Sequence, residues 1–302
     1  MRIKRSLQLY NENATVHLYW RCHNKEFYLS NNKVKDLYFN CLEEGLEHRP
    51  QNKSEKLRKN CQIHSYCAMN NHFHQVTSYS NGSEHLSLFM RQAHTLFGIR
   101  FNKATKRSGC FGNGRPNTPL IQNSNHEMRV HFYVEANPVR AKLCKIENLQ
   151  DYPYSSYGYY AFGKKTRHTN LLTIPKWYLD LGKTARVRQT RYRKLFRDYL
   201  GERDQETTKD FQKIFIGEYS WIETMKILLK SKIELKHSIY PMRIWVPPKY
   251  HSRWFVEPVA FKAKIGCPNL AILFGPNSVL ESSRRQTKLP GNEVFGCKPF
   301  FR

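Results

Sequence analysis

Acidic residues are scarce in this 302-residue sequence: 24 Asp and Glu stand against 50 Lys and Arg, a formal net charge of +26 before histidine is counted. A surface so short of negative charge attracts polyanions, nucleic acid first and an anionic lipid face second. No run approaches the ~18 apolar residues that a membrane span needs. The opening MRIKRSLQLYNENATV lacks the long apolar core of a secretory signal, so the expectation is a cytoplasmic protein. None of the eight cysteines (22, 41, 61, 67, 110, 144, 267 and 297) belongs to a CxxC pair, which argues against a zinc site. They read as reduced core thiols, since a chain this long needs no disulfide staples. Aromatic residues are plentiful, with 18 Tyr, 18 Phe and 5 Trp, and 40% of the chain is hydrophobic. That excludes wholesale disorder. It also fits nucleic acid, because cations neutralise phosphates while rings stack unpaired bases.

The pattern along the chain is α+β. In ATVHLYWRC (14–22), Val16, Leu18, Trp20 and Cys22 alternate with His17, Tyr19 and Arg21, as in a half-buried strand. Residues 32–46 space Val34, Leu37, Tyr38, Cys41 and Leu42 at helical intervals. Two further strands are predicted over 62–69 and 72–79, with Asn70-Asn71 as the turn between them. Ser83 reads as the N-cap of a long helix, and Ser124 with Glu127 matches a capping box for another that stops near Pro138. An antiparallel sheet with helices on one face accommodates that order. From Lys183 to Arg197 come seven cations and no acid before position 198, and a further helix is predicted near 220–229. The expected division is a catalytic domain over 1–164 and a mainly helical, basic extension over 165–302.

Two local patterns could carry chemistry. In His72-Phe73-His74, strand geometry projects both imidazoles from one face, a rigid pair able to hold a metal ion. Alone, such a pair is more often two histidines on a wet sheet face. Tyr133 and Asn137 lie four apart at helical spacing. A phenol oxygen can attack phosphorus and an amide oxygen can complete the shell of a hard cation. The plain alternative is a packed tyrosine and an asparagine that ends a helix.

Together the two patterns have a precedent. MNNHFHQV (69–76) resembles the histidine-hydrophobic-histidine (HUH) motif of single-tyrosine transposases of bacterial insertion sequences. YVEANPVRAKL (133–143) is similar to the tyrosine helix of their REP-associated branch, and DYPYSSYGYY (151–160) to the aromatic Ser-Ser-Tyr segment that follows it. HLYWRCHN, Phe101-Asn102 and Gly114-Arg115 fall in the fitting order. The resemblance runs roughly from Val16 to Tyr160. It implies a ferredoxin-like or palm fold, a divalent cation (Mg²⁺ or Mn²⁺), and cleavage and rejoining of single-stranded DNA beside a hairpin through a 5′-phosphotyrosine. By position, His72, His74 and Asn137 would hold the metal and Tyr133 would be the nucleophile. The chain departs from the family at Asn70, where proline is common, and after Arg115, where Pro-Asn-Thr replaces aromatic and basic residues.

Phosphate contacts are expected from Arg115, Arg140 and Lys142, and from Arg186, Arg188, Arg191, Arg193 and Lys194. Tyr157, Tyr159 and Tyr160 are equally base-stacking or core residues. The implied protein is a monomer or homodimer associated with the nucleoid. The alternatives are a former transposase that grips structured nucleic acid without cutting, and a rolling-circle-type HUH nickase.

Overall fold

The alternation at residues 14–22 becomes a strand because its two faces meet different cores. The computed structural model describes residues 5–8, 11–50, 55–201 and 210–239. A one-turn helix α1 (Arg5–Gln8) precedes β1 (Ala14–Arg21), α2 (Asn32–Glu47), β2 (Cys61–Ala68), β3 (His72–Tyr79) and α3 (Ser83–Thr105). There follow β4 (Leu120–Ile121), α4 (Ser124–Glu135), α5 (Asn137–Arg140), α6 (Tyr157–Phe162) and α7 (Lys176–Leu179). The described part closes with α8 (Ala185–Gly201), β5 (Phe215–Ile216) and α9 (Tyr219–Ile239).

The strand order is β2-β3-β1-β4-β5. The first four are antiparallel, in the ferredoxin-like succession strand-helix-strand-strand-helix-strand. β5 joins β4 in parallel and makes the sheet mixed. One face carries Val16, Leu18, Trp20, Ile63, Tyr66 and Phe73 under α2 and α3, which contribute Phe39, Leu42, Phe89 and Phe97. Trp20 Nε1 donates to the Tyr38 hydroxyl at 2.6 Å, and that hydroxyl lies 3.1 Å from His94 Nε2. The class is thus the expected α+β, with α2 and α3 together on one face.

The other face is also covered. Cys67 and Val76 of the sheet pack with Val130, Tyr133 and Val134 of α4, and behind these lie Tyr160, Tyr192 and Phe196. The helix α4 is apolar on two sides, so it needs the sheet before it and α6 and α8 behind it. This corrects the expected division at residue 164. Met1–Arg243 form one compact unit, because the extension supplies Tyr178, Tyr192, Phe196 and Phe211 to the second core and β5 to the sheet. The described part of the extension is mainly helical, with α7, α8 and α9 beside the short β5; residues 202–209 and 240–302, with Cys267 and Cys297, lie outside the described residues.

The outer edge of β2 is occupied by backbone from farther along the chain. Ala68 N donates to the Tyr154 carbonyl at 2.9 Å, Ser156 N to Tyr66 at 3.1 Å and Thr173 N to Ile63 at 2.7 Å. The helix starts differ by one residue from the sequence reading. Gly82, at φ 106°, precedes α3 without a side-chain cap, and the Asn123 side chain accepts from the Asn125 and His126 amides at the start of α4. Asparagine reaches those amides as well as serine does, and it stands one position earlier. All six described cysteines are unpaired, and Cys22, Cys41, Cys61 and Cys67 are buried.

His94 is wedged edge-on against Trp20 and Phe111, with ring centroids 5.4 and 5.3 Å apart. Burial, and then the charge of Arg5, push its pKa down to about 3. The unfolded chain, near 6.5, binds that proton more tightly, so the stability involved is intact above about pH 6.5 and is lost as pH falls toward 3. Urea titrations should show an unfolding free energy that declines through this window, with His94 contributing up to about 1.4 kcal/mol per pH unit. His94→Gln should flatten the decline by that share, and an unchanged slope would contradict a neutral ring.

Candidate active site

The β1–β3 register pairs Tyr19 with His74 and Arg21 with His72, placing His17, Tyr19, His72 and His74 on one face. The His72 and His74 rings are 5.1 Å apart at 88°. Tyr133 reaches the same spot from α4: its ring centroid is 5.7 Å from that of His74 and 5.5 Å from that of His17, edge-on to both. The strand pair and the helix tyrosine therefore meet.

Hydrogen-bond logic fixes the tautomers. His17 is fully buried, and its Nδ1 lies 2.8 Å from the Phe211 carbonyl oxygen. A carbonyl only accepts, so Nδ1 carries the hydrogen. Burial, aided by Arg140 and opposed by the Phe211 bond, lowers the His17 pKa to about 4. The ring is neutral at pH 7 and its Nε2 holds the lone pair. That Nε2 lies 2.9 Å from His74 Nδ1, which must then be the donor. Burial first, then the charges of its neighbours, hold His74 well below the ordinary histidine range, so its Nε2 keeps a lone pair. His72 follows the same rule: Nδ1 donates to Asn71 Oδ1 at 2.7 Å, and burial with Arg21 and Arg140 lowers the group to about 4. Two neighbouring imidazoles each keep Nε2 unprotonated, the form that binds metal.

Tyr133 is enclosed, with 1% of its surface exposed. Phe211 stacks on its ring at 4.3 Å, and the Arg140 guanidinium lies 3.9 Å from the ring centroid. Burial raises the phenol pKa, while Arg140, a hydrogen bond from Gln212 and Arg21 oppose the rise. Asn137 opens α5 one turn later, and its Nδ2 donates to the carbonyls of Tyr133 and Val134 at 3.0 and 3.1 Å. These two bonds satisfy carbonyls that α4 leaves open where Pro138 cannot donate. Asn137 Oδ1 is the oxygen left for another partner. Arg140 Nη2 also donates to the Tyr133 carbonyl.

Behind the tyrosine, Glu135 is wholly buried. Its Oε1 accepts from the Ser156 hydroxyl at 2.6 Å and faces His131 Nε2 at 3.1 Å, and its Oε2 accepts from the Tyr192 hydroxyl at 2.5 Å. This carboxyl group ties α4 to the Ser-Ser-Tyr segment and to α8.

The other predicted residues separate. Lys142 is exposed with a left-handed backbone, φ 56°, and Arg115 sits on the exposed loop before β4. On α8, Arg188 donates to the carbonyls of Gly182 and Lys183, Arg191 to that of Leu181 and Arg193 to that of Ala161, so these three close the ends of α6 and α7. Arg186 and Lys194 are exposed. Tyr157 and Tyr160 are core residues, the latter donating to the His64 carbonyl at 2.6 Å. Sequence reading missed His17, whose parity on its strand matches the histidine face, and Phe211 and Gln212, which lie in no recognisable motif.

The two imidazole nitrogens of His72 and His74 make a sparse donor set, and the printed bonds of Asn137 run to the end of α4. Among the described residues, no cluster of three or more His, Cys, Asp or Glu side chains is arranged to hold a metal ion. A divalent cation held by these residues would need water to complete its shell.

His17→Phe should keep the ring volume and remove the acceptor that orients His74. Nitrogen-detected NMR should find Nδ1–H tautomers for His72 and His74 in the parent protein. In His17→Phe the His74 signal should shift toward a tautomer mixture while His72 stays, and an unmoved His74 would refute the relay.

No family model matches the chain, and neither does any curated protein. A solved structure of a REP-associated tyrosine transposase bound to a REP hairpin is similar at TM-score 0.42 and 17% identity, over 55% of this chain and 88% of that one. A likeness at that level is one of outline, and the chemistry of the site follows from its own residues.

Proposed function

We propose that the protein cleaves and rejoins single-stranded or hairpin DNA, with Tyr133 as nucleophile and with His72, His74 and Asn137 holding a divalent cation, Mg²⁺ or Mn²⁺. The observation that supports this reading is the meeting of an unprotonated imidazole pair with a phenol whose ring lies 5.7 Å from one of them. Tyr133 oxygen forms a bond to phosphorus and the bond from phosphorus to the 3′ oxygen breaks. That oxygen leaves as a 3′-hydroxyl after taking a proton, and the 5′ end stays on the tyrosine. The reverse attack by a second 3′-hydroxyl rejoins strands with no external energy source. Arg140, against the ring, and Arg21 favour the phenolate that attacks. The cation, when bound, supplies positive charge to a non-bridging phosphate oxygen. The excess of 26 positive charges suits a polyanionic substrate. Among the described residues no helix is long and apolar enough to cross a membrane.

The near-complete burial of Tyr133 favours a second reading, a DNA-gripping protein that does not cut. For cutting, Phe211 and Gln212 must leave the phenol before a phosphate can enter.

Labelled hairpin DNA incubated with Mg²⁺ or Mn²⁺ should give a covalent protein–DNA band on denaturing gels. Tyr133→Phe should abolish the band, and His72→Ala or a chelator should reduce it at least about 100-fold, the scale of losing a metal's charge stabilisation. Phe211→Ala should raise the yield several-fold. A band that survives Tyr133→Phe ends the nucleophile assignment; no band from either the parent or Phe211→Ala leaves the non-cutting reading.

A further inference from the structure

A second cleft gathers positive charge at some remove from the tyrosine. Arg5 of α1, Ser87, Arg91 and His94 of α3, and Arg115 with Pro116 border an opening of about 470 Å³ that no described carboxylate lines. Arg5 is 7% exposed. Its Nη1 donates to Ser87 Oγ at 3.1 Å and its Nη2 reaches the Pro116 carbonyl at 3.5 Å, while its Nε is buried without a partner. A buried guanidinium ordinarily sits against a carboxylate, since an uncompensated buried charge is strongly unfavourable. Here its charged neighbour is another arginine, and burial together with Arg115 lowers the Arg5 pKa to about 10. Three guanidinium forks around one opening suit an anion rich in acceptor oxygens, above all a phosphate.

The cleft connects to the reaction centre. Arg115 and Pro116 also line an adjoining groove of about 220 Å³ together with Tyr19 and Gln212. The Tyr19 ring lies 5.7 Å from that of His74, and Gln212 hydrogen-bonds the Tyr133 hydroxyl. Arg115 thus stands between the histidine face and the arginine cleft.

We infer that Arg5, Arg91 and Arg115 form a phosphate subsite for the backbone of a single-stranded nucleic acid that continues along Tyr19 to Tyr133. The direction of the strand rests on the proposed function; the phosphate grip does not. The test uses full-length Tyr133→Phe protein, which cannot form an adduct, and fluorescein-labelled single-stranded DNA followed by anisotropy over a range of salt. Arg91→Gln and Arg115→Gln alter exposed residues and leave the core intact. Each should weaken binding about tenfold and reduce the slope of log K against log salt by about 0.7, the value for one lost single-strand phosphate contact. Arg5→Gln should do the same, with its fold checked by circular dichroism. Unchanged affinity and slope in both exposed variants would overturn the subsite. So would inorganic phosphate stabilising the parent against heat, but not Arg91→Gln, while DNA binding stays the same in both, because the cleft would then serve free phosphate. If the parent forms no tyrosine adduct and the variants still lose slope, the subsite stands and only the cutting assignment falls.

Discussion

Glu135 carries a carboxyl group into a core that water does not reach, and the orientation of the tyrosine helix depends on it. Hydroxyls from Ser156 and Tyr192 and the His131 ring satisfy both oxygens. Removing any partner leaves a buried polar group unpaired at a cost of about 1–3 kcal/mol, and His131 Nδ1 already stands without one. Two residues along an α-helix turn the side chain by about 200°. With Glu135 gripped from behind, Tyr133 faces the sheet. The rotational setting of the phenol is thus determined by groups that never touch a substrate.

The same economy governs the covering segment. Phe211 uses its ring to enclose Tyr133 and its carbonyl to fix the proton of His17. Through His17 that one residue also sets which nitrogen of His74 keeps a lone pair. Shielding of the phenol and preparation of the imidazole therefore depend on a single short element, Asp210–Gln212.

The strands and the paired histidines were legible because period two is a property of the chain itself: Val16, Leu18 and Trp20 announce their face without help. The helices of 32–47 and 83–105 were legible from apolar spacing for the same reason, while of 219–239 only the stretch 220–229 was anticipated. The division at residue 164 was misjudged because motif similarity ends there while packing does not. Tyr192 and Phe196 look like parts of a basic run, and only the second core explains them. Arg188, Arg191 and Arg193 carry the same charge whether they meet phosphates or carbonyls, and sequence does not say which is nearer. His17 needed the strand register and Phe211 needed the whole fold.

The sheet has little left to offer at its margins. Along β2, peptide groups of Ile63, Tyr66 and Ala68 are already engaged by residues 154–173, and at the far side β5 is two residues long. Edge-to-edge extension by a second copy needs a free row of amides and carbonyls. Self-association through the described residues would therefore have to use side-chain surfaces, because the described sheet edges offer no free row for a continuous intermolecular sheet.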